Sequence, residues 1–525
     1  VPADTVAALA PVVAQQLGHD VEVRAAVELS SIDLPAPRIQ APAALAAIAS
    51  DDREDRAGHA YGKSFRDVVR GFHGELDSPP DLVLFPDDEV QLAAVLDWCA
   101  DAGVAAVLYG AGSSVVGGVE TGGEWAEAFA GVVSVDLSRM DRVLELDRTS
   151  RAARVAGGIT GPALEDHLRP LGLTLRHFPQ SFEFSTLGGW IATRSGGHYA
   201  TGRTHIDDFV ESVRVLTPQG PIESRRLPGS GAGPSPDRLF IGSEGILGAV
   251  TEAWMRLQDR PVFKAGASVR FDSMVDGVAA CRALGQSGLE PTNCRLLDPG
   301  EAAANAGGSG EAILVLGFES AHHPVDADIE AAVGVCGDLG GTIPGGLRHS
   351  RRDSTTTDAA DRSGEDAADA WRSAFLRAPY LRDAMVALGC IAETFETAVT
   401  WDRFEELDHA VRTATLAALA EVCGGGTVTC RFTHVYPDGV APYYTVLAPS
   451  RHGEQVAMWD DVKSAAAEAI LAAGGTITHH HAVGRDHRPQ YDRQRPELFA
   501  DAVRAAKSTL DPAGILNPGV LVDPI

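Results

Sequence analysis

Tyr109-Gly110-Ala111-Gly112-Ser113-Ser114-Val115-Val116-Gly117-Gly118 follows an apolar run at 105–109 that reads as a β-strand. Glycines and small hydroxyl residues placed just after a strand let successive backbone N–H groups turn into one concavity, which suits phosphate oxygens and above all a pyrophosphate. The loop is not a Rossmann fingerprint, because Gly110-x-Gly112 is followed by Ser113-Ser114-Val115-Val116 and not by a glycine opening a helix. Upstream lie a short strand at 82–85, a helix cap at Asp87-Asp88 and an amphipathic stretch ending near 102, so the loop closes a β-α-β unit. Downstream, strands are predicted at 132–136, 143–147 and 152–156, and Gly157-Gly158-Ile159-Thr160 opens a helix through 168.

A chain of 525 residues exceeds one compact core and predicts two or three domains. With 44 Lys+Arg against 72 Asp+Glu the formal charge is −28, which argues against nucleic acid or an anionic membrane surface as partner. An anionic substrate must then meet a local arginine cluster. The seven cysteines are scattered without a CxxC pair, as in a reducing interior. The absence of a long apolar run or a basic leader predicts a cytoplasmic protein. Four lysines amid abundant alanine suggest a GC-rich bacterial source.

Residues 1–75 read as an N-terminal helical extension and 76–258 as the domain built around the glycine loop. A fresh strand at 261–271 begins an alternation of helices and strands, so 259–455 is expected to be an α/β substrate or cap domain. Within it 345–364, with Arg348, His349, Arg351, Arg352 and a threonine run at 355–357, reads as a mobile loop. The segment 456–525 carries most of an Ala-rich helix (454–473) and the triplet His479-His480-His481. It is expected to close the active site by packing on the first domain. The triplet lies between strand-like stretches, and in a strand the three side chains would alternate faces, so they would not all meet one substrate.

Two further stretches recur in order. Pro179-Gln180-Ser181-Phe182-Glu183-Phe184-Ser185-Thr186-Leu187-Gly188-Gly189-Trp190-Ile191-Ala192-Thr193 supplies hydroxyls and glycines for close approach to a flat aromatic ligand, and Gly242-Ser243-Glu244-Gly245-Ile246-Leu247-Gly248 follows. Together with the first loop and Asn517-Pro518-Gly519, this set resembles the FAD-binding domain of the vanillyl-alcohol oxidase and p-cresol methylhydroxylase flavoprotein superfamily. The 181–190 phrase and the histidine triplet resemble its alkyl-dihydroxyacetonephosphate synthase branch.

The resemblance runs from about Tyr61 to the C-terminus. It implies an α+β fold, with a two-subdomain FAD-binding domain and a cap. Gly110, Ala111, Gly112, Ser113 and Ser114 would wrap the FAD pyrophosphate. Pro179, Gln180, Ser181, Ser185, Thr186, Gly189, Thr193 and Ser195 would line the rest, with Glu244, Gly245 and Leu247 toward the adenine and ribose. The pyrophosphate loop has neither His nor Cys, so non-covalent FAD is expected. A homodimer is implied by the family alone.

An imidazole is available as a base near pH 7, and the resemblance makes His480 the proton acceptor, with His479 and His481 shaping the pocket. A surface or metal-binding triplet is the alternative. Tyr443 matches the branch's catalytic tyrosine, with Tyr444 adjacent, and is otherwise a core aromatic. Arg295 matches an arginine near the flavin, or else pairs with Asp298. Arg382 matches a phosphate clamp, or else pairs with Asp383. His177 is expected beside the active site, while His198 and His205 read as loop histidines. No metal ligand is assigned: His434-Val-Tyr-Pro-Asp-Gly lacks the second histidine and the EHG element of the metal-dependent hydroxy-acid dehydrogenases. The implied chemistry is exchange of acyl for alkyl on a lipid-like ketose phosphate through flavin N5, without net redox. Oxidation of a hydroxy acid, alcohol or specialised metabolite is the alternative enzyme, and a flavin binder without catalysis a third reading.

Overall fold

The computed structural model describes residues 3–18, 21–351 and 381–523. Its first layer is the predicted β-α-β unit. Asp88 caps the helix Glu89–Ala102 by accepting from the Gln91 amide at 2.9 Å, and left-handed Gly103 ends it. Strands Leu82–Leu84 and Val104–Tyr109 both run parallel to Gly131–Asp136, which lies between them. The helix buries Leu92, Val95, Leu96 and Cys99 in the core beneath this sheet. Two further bonds to it come from the far end of the chain: Ala106 N donates to Ile515 O at 2.8 Å and Leu108 N to Asn517 Oδ1 at 2.8 Å.

The second sheet is antiparallel, in the order Val143–Asp147, Ala152–Ala156, Ala249–Arg256, Val210–Thr217, Gly220–Glu223. Helices Gly161–Leu168 and Leu187–Thr193 contribute Leu164, Leu168, Trp190 and Ile191 to its core. Among the described residues the third sheet has eight strands, and its central run is Phe263–Phe271, Ala312–Ser320, Asn293–Leu297, Thr427–Val435, Gly439–Pro449 and Cys390–Glu396. All its pairings are antiparallel. Helices Met274–Gln286, Asp326–Asp338 and Phe404–Cys423 share one apolar core with it. Two sheets around the glycine loop plus a helix-covered cap sheet make the α+β architecture expected from the sequence.

Several expectations need correction. The N-terminal segment is not a separate appendage: Ala49–Ser50 adds an edge strand beside Leu82–Leu84, and helix Phe65–His73 buries Phe65 and Val69 in the cap core. The segment from 456 does not pack as one body. Helix Gln455–Ala472 buries Met458, Trp459, Val462 and Ile470 in the cap core, whereas Val520–Val522 and part of helix Glu497–Leu510 join the second sheet's core. Arg348–Arg351 is no loop but an exposed edge strand, paired from Gly266↔Arg348 to Phe263↔Arg351. Arg352 and the threonine run at 355–357 lie outside the described residues. The histidine triplet is a turn, not a strand, so the alternation argument does not apply to it.

Candidate active site

All three sheets contribute to a single cavity of about 480 Å³. On the first-sheet side the lining is Gly110, Ala111, Gly112, Ser113 and Ser114, and none of their amides donates to an acceptor among the described residues. Gly112 has φ 66°, and a Cβ there would collide with the Tyr109 hydroxyl. At Gly110 a Cβ would strike Thr186 Oγ1, so both positions demand glycine. Unspent amides converging on a cavity are what a pyrophosphate requires.

Pro179, Gln180, Ser181, Thr186, Gly189, Thr193, Ser195, Glu244 and Gly245 continue the wall. Ser185 and Leu247 do not line it. Ser185 accepts from Trp190 Nε1 at 2.7 Å and donates to Ser181 O at 2.7 Å, supporting the wall from behind, and Leu247 is core. Glu244 lies at φ 50° and turns its carboxylate to the amides of Val483 and Gly484, each at 2.8 Å. Burial pushes its carboxyl up to about 7 despite these two donors. Its carbonyl accepts from Asn517 Nδ2 at 2.7 Å, so Glu244 ties the loop before Ala249–Arg256 to the C-terminal tail.

The cap side supplies imidazole, phenol and guanidinium side chains. Strand alternation separates the two tyrosines: Tyr443 lines the cavity, while Tyr444 points to the opposite face and donates to Asp408 Oδ1 at 3.0 Å. Arg431 stands opposite Tyr443 in the ladder with its guanidinium 4.0 Å over the phenol ring, and it pairs with Glu301 at 2.6 Å. Burial raises the Tyr443 phenol even though Arg431 pulls it down, so it stays protonated. Arg295 is 1% exposed and donates to His198 O. Burial, then the Arg431 charge, lowers it to about 9. Asp298 does not pair with it; Asp298 holds Arg412 at 2.7 Å. Arg382 lines the cavity beside Lys63 and donates to the Lys63 carbonyl.

The triplet is organised by a residue that sequence reading missed. The side chain of Glu396 is fully buried and accepts from the amides of His479 (2.6 Å), His480 (3.0 Å) and His481 (2.9 Å) and from Thr478 Oγ1 (2.7 Å). Burial pushes this carboxyl up, but the neighbouring His481 and His479 and the donors outweigh it and leave it near 2. The turn aims His480 and His481 into the cavity and His479 away from it. Burial drives His480 down to about 3, with His205, Arg431 and Arg295 adding to the effect, so it is neutral. His177 does not line the cavity either; buried at 1% exposure, it holds Ser195 through Nε2···Oγ at 2.8 Å.

In the sequence His434 belongs only to an incomplete metal motif, yet it lines the cavity too. His434, His479 and His480 bring imidazole nitrogens within 4.8 Å of one another. His434 Nε2 meets Gly197 O at 3.2 Å, and His479 Nδ1 meets His480 Nδ1 at 3.0 Å.

Residues 80–224 match the FAD binding domain family and 260–521 the C-terminal domain of FAD linked oxidases. The chain is 30% identical over 483 residues to alkyldihydroxyacetonephosphate synthase of Dictyostelium discoideum, covering 90% of this chain and 78% of that protein. It is 28% identical to the Trypanosoma brucei brucei synthase at the same coverage. A solved alkyldihydroxyacetonephosphate synthase superposes with TM-score 0.77 at 26% identity, over 95% of this chain and 88% of that one. p-Cresol methylhydroxylase shares the fold, with TM-score 0.66 at 16% identity over 91% and 94%. The chain is therefore an FAD-binding enzyme of the vanillyl-alcohol oxidase and p-cresol methylhydroxylase superfamily. Within it, the chain belongs to the alkyldihydroxyacetonephosphate synthase family.

The free amides of 110–114 fit the cofactor. Gly112→Val should yield folded, colourless protein, because the new side chain closes the cradle on Tyr109; flavin absorbance after gel filtration checks this. Wild-type flavin content in that variant would show that these amides do not hold the cofactor. Among the described residues no helix is long and apolar enough to cross a membrane.

Proposed function

We propose that this enzyme exchanges the acyl group of an acylated ketose phosphate for an alkyl group, without net redox. The observation that carries the reading is the convergence of His480, Tyr443, Arg295, Arg382 and Arg431 on the cavity that holds the glycine cradle. FAD, when bound, supplies a reversible electron sink for the substrate carbon. His480 is the base that takes the proton alpha to the ketone. Tyr443, kept protonated by burial, donates to a substrate oxygen. Arg382 and Lys63 at the rim grip the phosphate, and Arg295 and Arg431 keep positive potential over the reacting oxygens. Arginines placed where negative charge collects also answer the problem set by a chain of charge −28.

Non-covalent FAD accords with a pyrophosphate loop free of His and Cys. A homodimer in the bacterial cytoplasm follows the family resemblance and the sequence composition. Anaerobic mixing tests the chemistry. An acylated ketose phosphate with a long-chain alcohol should give the alkyl product and free carboxylate with the flavin absorbance unchanged at the end of turnover. Lasting bleaching by a 2-hydroxy acid, with no exchange, would replace this reading by oxidation.

A further inference from the structure

Behind His480 the structure holds a line of hydrogen bonds that the proposed mechanism has not used. His480 Nδ1 meets His479 Nδ1 at 3.0 Å, and His479 Nε2 meets the Tyr436 hydroxyl at 2.8 Å. The Tyr436 hydroxyl meets His205 Nε2 at 3.2 Å, and His205 Nδ1 meets the Arg194 carbonyl at 3.2 Å. The line starts at the cavity and ends on half-buried His205 in the loop after 195.

Its polarity is decided at the outer end. A carbonyl only accepts, so His205 carries its proton on Nδ1 and presents a lone pair at Nε2. Tyr436 then donates to His205, its oxygen accepts from His479 Nε2–H, and His479 Nδ1 is left as an acceptor. His480 must therefore carry its proton on Nδ1. Its Nε2, which has no partner among the described residues, is left as a lone pair for the cavity. Thr204 Oγ1, 3.3 Å from the Tyr436 oxygen, fits as a second donor to it, and His205 Nε2, 3.2 Å from His479 Nε2, fits as a second acceptor. The reverse assignment sets two lone pairs against each other at that last contact.

We propose that His479, Tyr436 and His205 are positioning residues that fix His480 as the Nδ1–H tautomer and carry its proton away. When His480 Nε2 takes a proton from the substrate, Nδ1–H passes to His479, Nε2–H passes to Tyr436, and the tyrosine proton passes to His205. The positive charge thus ends at the half-buried imidazole, and the reverse sequence returns the proton. Burial and the nearby Arg431 and Arg295 make a cation on His480 costly, so a route that moves the charge outward makes a weak base competent.

The inference rests on His480 acting as the base. Its test uses FAD-loaded enzyme with 15N-labelled histidines, the His480 signals being identified by their loss in His480→Gln. The wild type should show the proton on Nδ1, and His205→Ala or Tyr436→Phe a mixture of tautomers. Both variants should keep KM and lose roughly 10- to 100-fold in kcat, with imidazole buffer restoring His205→Ala. A proton on Nε2 in the wild type, unchanged kcat in both variants, or a loss in His205→Ala that imidazole does not rescue would each overturn the relay. So would a stoichiometric divalent cation that leaves with His479→Ala, since it would make these imidazoles ligands. An Nδ1 proton that shifts in the variants, in a wild type that performs no exchange, supports the tautomer assignment and sinks the proposed substrate instead.

Discussion

His480→Ala should lower turnover at least about 10³-fold, within the span attributed to general acid–base groups, while the protein keeps its flavin absorbance. The side chain lines the cavity on the cap side, whereas the proposed cofactor cradle is made of backbone amides at 110–114, so deleting the imidazole leaves those amides in place. His480→Gln should be as inactive, because an amide fills the space without supplying a base. The pH profile carries a further signature. A base held near 3 is unprotonated at every pH above that, so kcat/KM should show no acid limb from His480 in the ordinary histidine range around 6.5. Wild-type turnover in either variant would remove His480 from the mechanism.

Glu396→Ala is expected to be the most damaging single change to the fold of the site. One carboxylate, with no solvent exposure of its side chain, satisfies three consecutive amides and a threonine hydroxyl. Its removal leaves the amides of His479 and His480 and the Thr478 hydroxyl without this acceptor, while the His481 amide keeps Thr478 Oγ1 at 3.2 Å, and should cost about 3–5 kcal/mol. Activity should fall at least about 100-fold, as His480 and His481 lose their fixed backbone. The sign of the pH dependence follows from the depressed carboxyl. Its stabilisation is complete above the unfolded value of roughly 4.3 and is lost as pH falls toward 2. The gap between wild type and variant should therefore be widest near neutrality and shrink in acid. Thermal melts at pH 7 and pH 3.5 measure it; equal stability at pH 7 would show that the turn holds itself.

What was legible in the sequence follows from how local each requirement is. The glycine loop was readable because Gly112, at φ 66°, excludes other residues and a Cβ there would clash with Tyr109 within the same ten positions, whereas the demand at Gly110 comes from Thr186 in a distant stretch. The β-α-β unit and its Asp88 cap were readable for the same reason. The triplet stands out as histidines, but its conformation is not legible locally, because the acceptor that bends it lies 83 to 85 positions away in the cap sheet. Glu393 and Glu396, two acids among apolar residues in Cys390–Glu396, were the available signal for a buried polar role. His205 and Tyr436 are 231 positions apart and meet only through the fold, so nothing local distinguished them from loop residues. His177 was placed near the chemistry, but it acts on Ser195 from within the core.

The tail contacts bear on the order in which the enzyme is made. Ala106 and Leu108, whose sheet carries the cradle, complete their hydrogen bonds with Ile515 and the Asn517 side chain, which also ties down Glu244. A nascent chain emerges N-terminus first, so these partners leave the ribosome about 400 residues after the sheet they complete. Coenzyme capture is thus expected to wait for Ile515 and Asn517, and ribosome-stalled chains that end before Ile515 should retain none.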